Sequence, residues 1–401
     1  MKKDKINIFE RHPLWTLFFI FSISTIMLDF FTANVYKLIN GYPWSAREQV
    51  RYQAKYREAL KIEKLYRVES TVYSHGLAKN KSVNNAHWGD LAYNVRTNSL
   101  GFKDRVVRNI PLCSDKYRIL FMGDSFTEGL GFDYDDTFVG LIDKELSKKG
   151  EEVFNAGVLG YSPTIYWKKI EYLIKKVGFK FNEVVVFIDI SDIEDEAIYH
   201  SLDEHGNVVR RDARNGQADN IKKGNINFAK KMTSNITLFI KNNSILMHYV
   251  LDKWLLLSSM DVDDKMHDAY KKRSRWTIDK NIYDEYGKEG VEKCALYMDK
   301  LHILLQSNGI SLTVAVYPWP DQILSDSLDS IQVLYWRKWC AEHDAHFINY
   351  FPHFLTGRTK KEKEKVIDKY YIRNDIHFNK DGHKLIANVF LDNYKTRENS
   401  N

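Results

Sequence analysis

The chain has 401 residues, which allows one large domain or two smaller ones, and 44% of them are hydrophobic, which excludes a largely disordered protein. Its net charge of +6 is mild and mixed with acidic residues, so the composition gives no footprint of a nucleic-acid-binding protein. Its three cysteines are odd in number and widely spaced, which argues against a disulfide framework or a cysteine metal site.

The first predicted element is a predominantly apolar segment over residues 14–35, in which Asp29 is the one charged residue. A membrane-spanning helix needs ~20 predominantly apolar residues, and this segment reaches that length. A cleaved signal peptide is the alternative, although Phe31-Thr32-Ala33 is a poor cleavage site. Basic residues in segment 1–13 favour an N-terminus on the cytoplasmic side. We therefore expect a single-pass anchor in the cell membrane and an extracytoplasmic (periplasmic) C-terminal domain.

Residues 36–92 are predicted to connect the anchor to the main domain. The charged stretch 46–68 is typical of a surface helix or stalk. Residues 73–90 contain Gly76, several asparagines, His75, His87 and Trp88, and we interpret them as a loop approaching the main domain.

From residue 93 to 394, apolar runs alternate with helical patterns. The predicted strands are Arg118–Met122, Glu152–Asn155, Glu183–Asp189, Ser311–Tyr317 and His346–Tyr350. The predicted helices are Thr137–Lys148, Thr164–Val177, Val291–Ser307, Ile331–His343 and Asp381 to about Asn393. Apolar strands joined by helices indicate a parallel sheet covered on both faces. The pattern predicts a three-layer α/β domain.

The first predicted strand ends in Gly123-Asp124-Ser125. A hydroxyl residue at the carboxyl end of a parallel strand lies where open α/β sheets bind their ligands, so Ser125 is a candidate nucleophile. Alternatively, Asp124 and Ser125 form a turn with a helix cap. The run Gly-Asp-Ser-Phe-Thr-Glu-Gly resembles the first block of the SGNH (GDSL-type) hydrolase superfamily, and Tyr93–Phe102 before it resembles the lead-in found in many bacterial members. That resemblance implies a flavodoxin-like sheet of five parallel strands and a serine that attacks an ester carbonyl.

Two further blocks follow the next two predicted strands. Asn155-Ala156-Gly157-Val158-Leu159-Gly160 resembles the family's second block, which implies that the Gly160 N–H donates to the oxyanion; a plain strand-to-helix turn is the alternative. The third block, Val184–Asp192, departs from the family pattern, because Ser191 stands where the family has an asparagine that also donates to the oxyanion. The resemblance makes Ser191 an uncertain third donor. Asp192 is a candidate substrate-binding residue, and residues 194–196 are interpreted as a solvated acidic loop.

The family pattern fades in an insertion over residues 199–286. It contains a predicted apolar-rich helix, Ile236–Met260, in which His248, Asp252 and Lys253 argue against a second membrane span. The helix is predicted to cap the site, to contact a partner or to pack on the main core. After the insertion, Trp319 lies between two prolines at the end of the fourth strand and is a candidate for contacting substrate or for core packing.

The last block, Asn374-Asp375-Ile376-His377, precedes the final helix, as the family's catalytic block does. His377 is the predicted general base, and an acid is needed to orient it. Asn374 occupies the acid's usual family position, whereas Asp375 fits a variant seen in members that act on envelope polysaccharides. We therefore predict Asp375 as the acid and His383 as a contact at the start of the helix.

Together, the blocks predict a Ser125–His377–Asp375 triad with an oxyanion hole formed by Ser125, Gly160 and Ser191. The resemblance implies an esterase that acts on O-acetylated surface polysaccharide, and it implies no metal or organic cofactor. An O-acetyltransferase working with a membrane acyl-donor partner and a catalytically inactive binding module are the alternatives. The expected ligand is an acylated small molecule or polysaccharide, not a nucleic acid.

Overall fold

The computed structural model describes residues 12–47, 58–210, 237, 239–250 and 272–398. In chain order, its strands are β1 Arg67–Ser70, β2 Ser74–Leu77, β3 Ser82–Trp88, β4 Leu91–Arg96, β5 Arg118–Met122, β6 Glu152–Asn155, β7 Glu183–Ile188, β8 His200–Leu202, β9 Val208–Arg210, β10 Ser311–Val316 and β11 His346–Asn349. The five strands predicted from apolar runs are all present, each within one residue of its predicted bounds.

Those five strands form one parallel sheet in the order β6-β5-β7-β10-β11. Numbered by their appearance in the sheet, the order is 2-1-3-4-5, which is the flavodoxin-like order. All residues of β5 and β7 are buried, because helices cover both faces of the sheet. The predicted fold class is therefore confirmed.

The helices lie in two layers around this sheet. Their bounds are Phe138–Leu146, Pro163–Tyr172, Lys288–Gln306, Pro320–Ser325, Ile331–Glu342, Lys360–Tyr370 and Lys380–Glu398, with short helices at Ser125–Glu128, Asp192–Glu194, Lys280–Ile282 and Phe351–Phe354. Phe138–Leu146 packs against Lys380–Glu398, and Pro163–Tyr172 packs against Lys288–Gln306. These two helix pairs form the outer layers and leave the carboxyl ends of the strands open to loops.

The segment interpreted as a loop, residues 73–90, forms strands instead. β1 pairs antiparallel with β2, and β3 pairs antiparallel with β4. A register shift between Val83 and Ala86 marks a bulge in β3. An inserted residue breaks the two-residue alternation that identifies a strand in a sequence, which explains why this prediction was wrong.

The chain divides into two compact units, Met1–Glu58 with Asp219–His267 and Ala59–Ala218 with Asp268–Asn401. In the first unit, helix Pro13–Asn40 is long and apolar enough to cross a membrane, a property that signal sequences share. Asp29 in this helix accepts hydrogen bonds from the Ser244 hydroxyl and from the backbone N–H of Leu246. The predicted insertion helix is helical at 239–243 and 245–250, and the rest of it lies outside the described residues. Its use as a cap or partner interface stays a prediction.

Candidate active site

Ser125 lies at the carboxyl end of β5, between the loops that follow the neighbouring strands β6 and β7. Asp124 caps the short helix Ser125–Glu128, because its carboxylate accepts the Phe126 N–H at 3.0 Å. A Cβ on Gly123 would lie 2.2 Å from the Thr127 hydroxyl oxygen, so only glycine fits before this turn. The helix-cap interpretation is therefore correct, and the same turn presents Ser125 at the edge of the sheet.

His377 lies within hydrogen-bond distance of both other residues of the predicted triad. Ser125 Oγ is 2.8 Å from His377 Nε2, and His377 Nδ1 is 2.6 Å from Asp375 Oδ1. A carboxylate can only accept, so Nδ1 carries the proton and Nε2 accepts from the Ser125 hydroxyl. Both Ser125 and His377 are buried. This is the geometry that a general base needs to activate a serine.

Asp375 is held by a residue that the sequence analysis did not assign to the site. Trp88, at the end of β3, donates its indole N–H to Asp375 Oδ2 at 2.8 Å, and its ring packs edge-on against the His377 imidazole at 4.9 Å between centroids. Burial raises the pKa of Asp375, but the hydrogen bonds from His377 and Trp88 outweigh it and bring that pKa below its usual value. Asp375 is therefore a charged acceptor that orients the imidazole. Asn374 has a φ of +59° and forms the turn before it.

The three predicted oxyanion donors share one property. Within the described part of the chain, the backbone N–H groups of Ser125 and Gly160 and the hydroxyl of Ser191 donate to no acceptor. Gly160 follows β6 and Ser191 follows β7, the two strands that flank β5. The topology thus brings these donors to the same sheet edge as Ser125 and leaves them available to a ligand.

The loop that carries Gly160 is held by side chains on both sides. Glu128 accepts the Leu159 N–H at 2.7 Å, and Arg67 binds both oxygens of Glu128 at 3.0 and 3.1 Å. Burial raises the pKa of Glu128, but the charge and hydrogen bonds of Arg67, the charge of Lys103 and the Leu159 N–H together outweigh burial and lower that pKa. His75 Nε2 lies 2.8 Å from the Leu159 carbonyl oxygen. These contacts hold the backbone of the loop in place. Glu128 belongs to the first block, whereas no motif in the sequence gave a role to Arg67 or His75.

A cluster of three buried carboxylates, Asp124, Asp189 and Asp192, includes the residue that directly precedes Ser125. One oxygen from each carboxylate lies within 4.8 Å of the other two, so these three residues have the spacing to bind one cation together. Burial and the charge of Asp189 raise the pKa of Asp124 well above its usual value, which favours its neutral form next to the nucleophile.

Of the two predicted substrate-binding residues, Asp192 belongs to this cluster and Trp319 contacts it. Tyr166 donates to Asp192 at 2.9 Å, and the indole N–H of Trp319 donates to Asp189 at 2.7 Å. Asp192 is fully buried, and Trp319 is 2% exposed. The structure therefore places both side chains in the packed base of the site, and their contact with substrate stays a prediction.

The acidic stretch after Ser191 is not a solvated loop. Glu196 is fully buried and accepts hydrogen bonds from the Ser162 hydroxyl and from the backbone N–H of Thr164 at 2.7 Å. A buried carboxylate with several donors looks the same in the sequence as a solvated one, which is why the interpretation was wrong. His383, predicted as a contact at the helix start, is buried in helix Lys380–Glu398, and its Nδ1 accepts the Phe138 N–H at 3.2 Å.

The solved structures that this chain resembles include two named as esterases and one named TesA. The psychrotrophic esterase EstA from Pseudoalteromonas sp. is 11% identical with a TM-score of 0.36, and the match covers 71% of this chain and all of EstA. The acetyl xylan esterase AlAXEase is 14% identical with a TM-score of 0.38, covering 69% and 98%. TesA is 10% identical with a TM-score of 0.37, covering 69% and 96%. No family model and no curated protein matches the sequence.

Proposed function

We propose that this chain is a serine ester hydrolase of the SGNH (GDSL-type) superfamily. The observation that carries the proposal is the continuous hydrogen-bonded arrangement of Ser125, His377 and Asp375, at 2.8 and 2.6 Å. A buried serine whose hydroxyl donates to an imidazole, itself oriented by a carboxylate, is the arrangement of an activated nucleophile.

In the proposed reaction, Ser125 Oγ attacks the ester carbonyl while His377 Nε2 takes its proton. Asp375 stabilises the imidazolium that forms. The tetrahedral intermediate collapses, the alcohol leaves with the proton from His377, and an acyl-serine remains. Water then attacks the acyl-serine with His377 as base, and this step releases the acid and restores the Ser125 hydroxyl.

The backbone N–H groups of Ser125 and Gly160 are the proposed donors to the negative oxygen of the tetrahedral intermediate. The Ser191 hydroxyl is a third donor, shorter than the asparagine side chain found at that place in the family. A donor of this kind contributes roughly 10²- to 10³-fold to kcat. We expect Ser191→Ala to lower kcat while leaving Ser125 reactive.

The proposed substrate is an O-acetylated polysaccharide at the cell surface. The Asp-x-His form of the last block and helix Pro13–Asn40 support this substrate class. The proposed location is a tethered domain outside the cytoplasm. A reporter that is active only in the cytoplasm, fused after Asn401, is expected to be silent, and a strong signal would reverse this topology.

A transferase would use the same acyl-serine and pass the acyl group to a sugar hydroxyl. The apolar helix Pro13–Asn40 favours this second candidate, because a membrane-held enzyme could receive acyl groups from a membrane donor. Product analysis with an aryl acetate and an added oligosaccharide separates the two. Free acetate alone supports hydrolysis, and acetylated sugar supports transfer.

Two separate experiments test the proposed function: labelling with a fluorophosphonate probe, and, on unlabelled protein, intact-mass detection of an acyl adduct formed from an activated ester. We expect the wild type to label, Ser125→Ala not to label, and His377→Ala to label much more slowly. Ser191→Ala is the matched control and should still label. Labelling that survives in Ser125→Ala would refute the nucleophile. A folded wild type that neither labels nor forms an adduct would favour the inactive binding module.

A further inference from the structure

The peptide unit between Leu159 and Gly160 carries the proposed oxyanion donor at one end and a restrained carbonyl at the other. Its carbonyl oxygen, on Leu159, lies 2.8 Å from His75 Nε2. Its N–H, on Gly160, donates to no group among the described residues. In a trans peptide the C=O and the N–H point in opposite directions across the same plane. A hydrogen bond that fixes the carbonyl therefore also fixes the direction of the Gly160 N–H.

The hydrogen-bonding partners of His75 define its tautomer. A carbonyl oxygen can only accept, so Nε2 carries the proton and donates to Leu159. The other nitrogen, Nδ1, lies 3.1 Å from the Ser74 hydroxyl, which then donates to it. Burial also lowers the pKa of His75, which favours the neutral ring. A neutral donor with a single tautomer can hold the Leu159 carbonyl without adding a charge beside the oxyanion loop.

The ring of His75 is itself restrained. It packs edge-on against the Tyr161 ring, with 5.1 Å between centroids, and the Tyr161 hydroxyl donates to the His75 backbone carbonyl at 2.6 Å. His75 lies on β2, outside the central sheet, whereas Leu159 follows β6. On the other side of the same residue, Glu128 accepts the Leu159 N–H. Both polar backbone groups of Leu159 are thus held by side chains from other elements.

We propose that His75 is a positioning residue for the oxyanion hole: by holding the Leu159 carbonyl, it aims the Gly160 N–H at the oxygen that becomes negative in the tetrahedral intermediate. This role rests on the proposed hydrolase function and adds a residue to it. His75 acts through the peptide and does not touch the substrate. Its effect should therefore appear in kcat and in the affinity for tetrahedral analogues, because a preorganised donor matters most where charge develops.

Three variants of His75 separate positioning from packing. His75→Phe keeps an aromatic ring against Tyr161 and removes the donor. The amide nitrogen of His75→Gln can occupy the place of Nε2 and restore the donor, whereas the shorter His75→Asn cannot reach the Leu159 carbonyl. His87→Phe is the matched control, because His87 is exposed on β3, the next strand along the chain.

The experiment measures kcat and KM on an aryl acetate and the inhibition constant of a trifluoromethyl ketone, which forms a tetrahedral adduct with the serine. We expect His75→Phe and His75→Asn to lower kcat about 10- to 100-fold. This decrease should not exceed the decrease in kcat caused by removing one oxyanion donor entirely. KM should change less than about threefold, and the inhibitor should weaken in parallel with kcat. His75→Gln should recover most of both, and His87→Phe should match the wild type. Circular dichroism and melting establish that each variant is folded.

Failure of this proposal can be told apart from failure of the proposed function. If the wild type hydrolyses the ester, Ser125→Ala does not, and folded His75→Phe keeps a normal kcat, the positioning role is overturned and the hydrolase stands. Equal losses in His75→Gln and His75→Asn would also overturn it, because the donor would then not be what matters. A wild type inert to both the ester and the ketone would overturn the hydrolase and the role of His75 together.

Discussion

The hydrogen bond from Trp88 to Asp375 lets us predict how much kcat should fall when it is removed. Trp88→Phe removes the indole N–H that lies 2.8 Å from Asp375 Oδ2 and keeps an aromatic ring beside the His377 imidazole. A hydrogen bond to a charged group contributes ~1.5–3 kcal/mol. The Asp375 side chain is 24% exposed, so water can replace part of the lost bond, and we take ~1–2 kcal/mol as the net loss. That corresponds to a kcat lower by about 5- to 30-fold.

The assay is kcat on an aryl acetate, measured in a double-mutant cycle with Asp375→Ala. Because Trp88 is expected to act through Asp375, Trp88→Phe should have almost no further effect once the carboxylate is gone. Trp339→Phe is a matched control. Trp339 lies on helix Ile331–Glu342 and its indole N–H donates to the Asp299 carboxylate at 2.8 Å. This substitution should lower the melting temperature without changing kcat. An unchanged kcat in folded Trp88→Phe, or the same fold loss in the Asp375→Ala background, would refute the reasoning.

Three further predictions concern the acid, the pH dependence of stability and the glycine turn. Asp375→Asn should lower kcat by roughly 10³- to 10⁴-fold and Asn374→Ala by less than about threefold, so similar rates for both variants on an aryl acetate would contradict the choice of acid. Burial lowers the pKa of His383 from 6.5, the usual value of a histidine, to about 3. Between pH 3 and pH 6.5 the unfolded chain therefore binds more protons at this residue than the folded chain does. The free energy of unfolding should therefore fall as the pH drops, and His383 should account for about 1.5 kcal/mol of this loss between pH 6.5 and 5. If urea unfolding showed the same pH dependence of this free energy in His383→Gln and the wild type, the prediction would be contradicted. Gly157→Ala would place a Cβ 2.7 Å from the Thr127 side chain and should cost about 1–3 kcal/mol, checked by urea unfolding; a wild-type midpoint would show that the loop has room.

The sequence by itself determined the central sheet and the chemistry at its edge. Strands buried on both faces must be apolar along their whole length, so β5 and β7 were visible as apolar runs. Ser125 and His377 lie 252 residues apart, yet both could be predicted because each follows a recognisable local pattern. The alternation of strands and helices then implied that loops at the carboxyl ends meet at one edge of the sheet.

Only the tertiary structure decided which other residues complete the site. Trp88 and Asp375 are 287 residues apart, and His75 and Leu159 are 84 apart, with no periodicity or motif that links them. The bulge in β3 hid the strand that carries Trp88, and the burial of Glu196 depends on donors from a different helix. Local patterns report which face of an element is apolar, whereas these hydrogen bonds depend on how separate elements pack, and that is decided only when the whole chain folds.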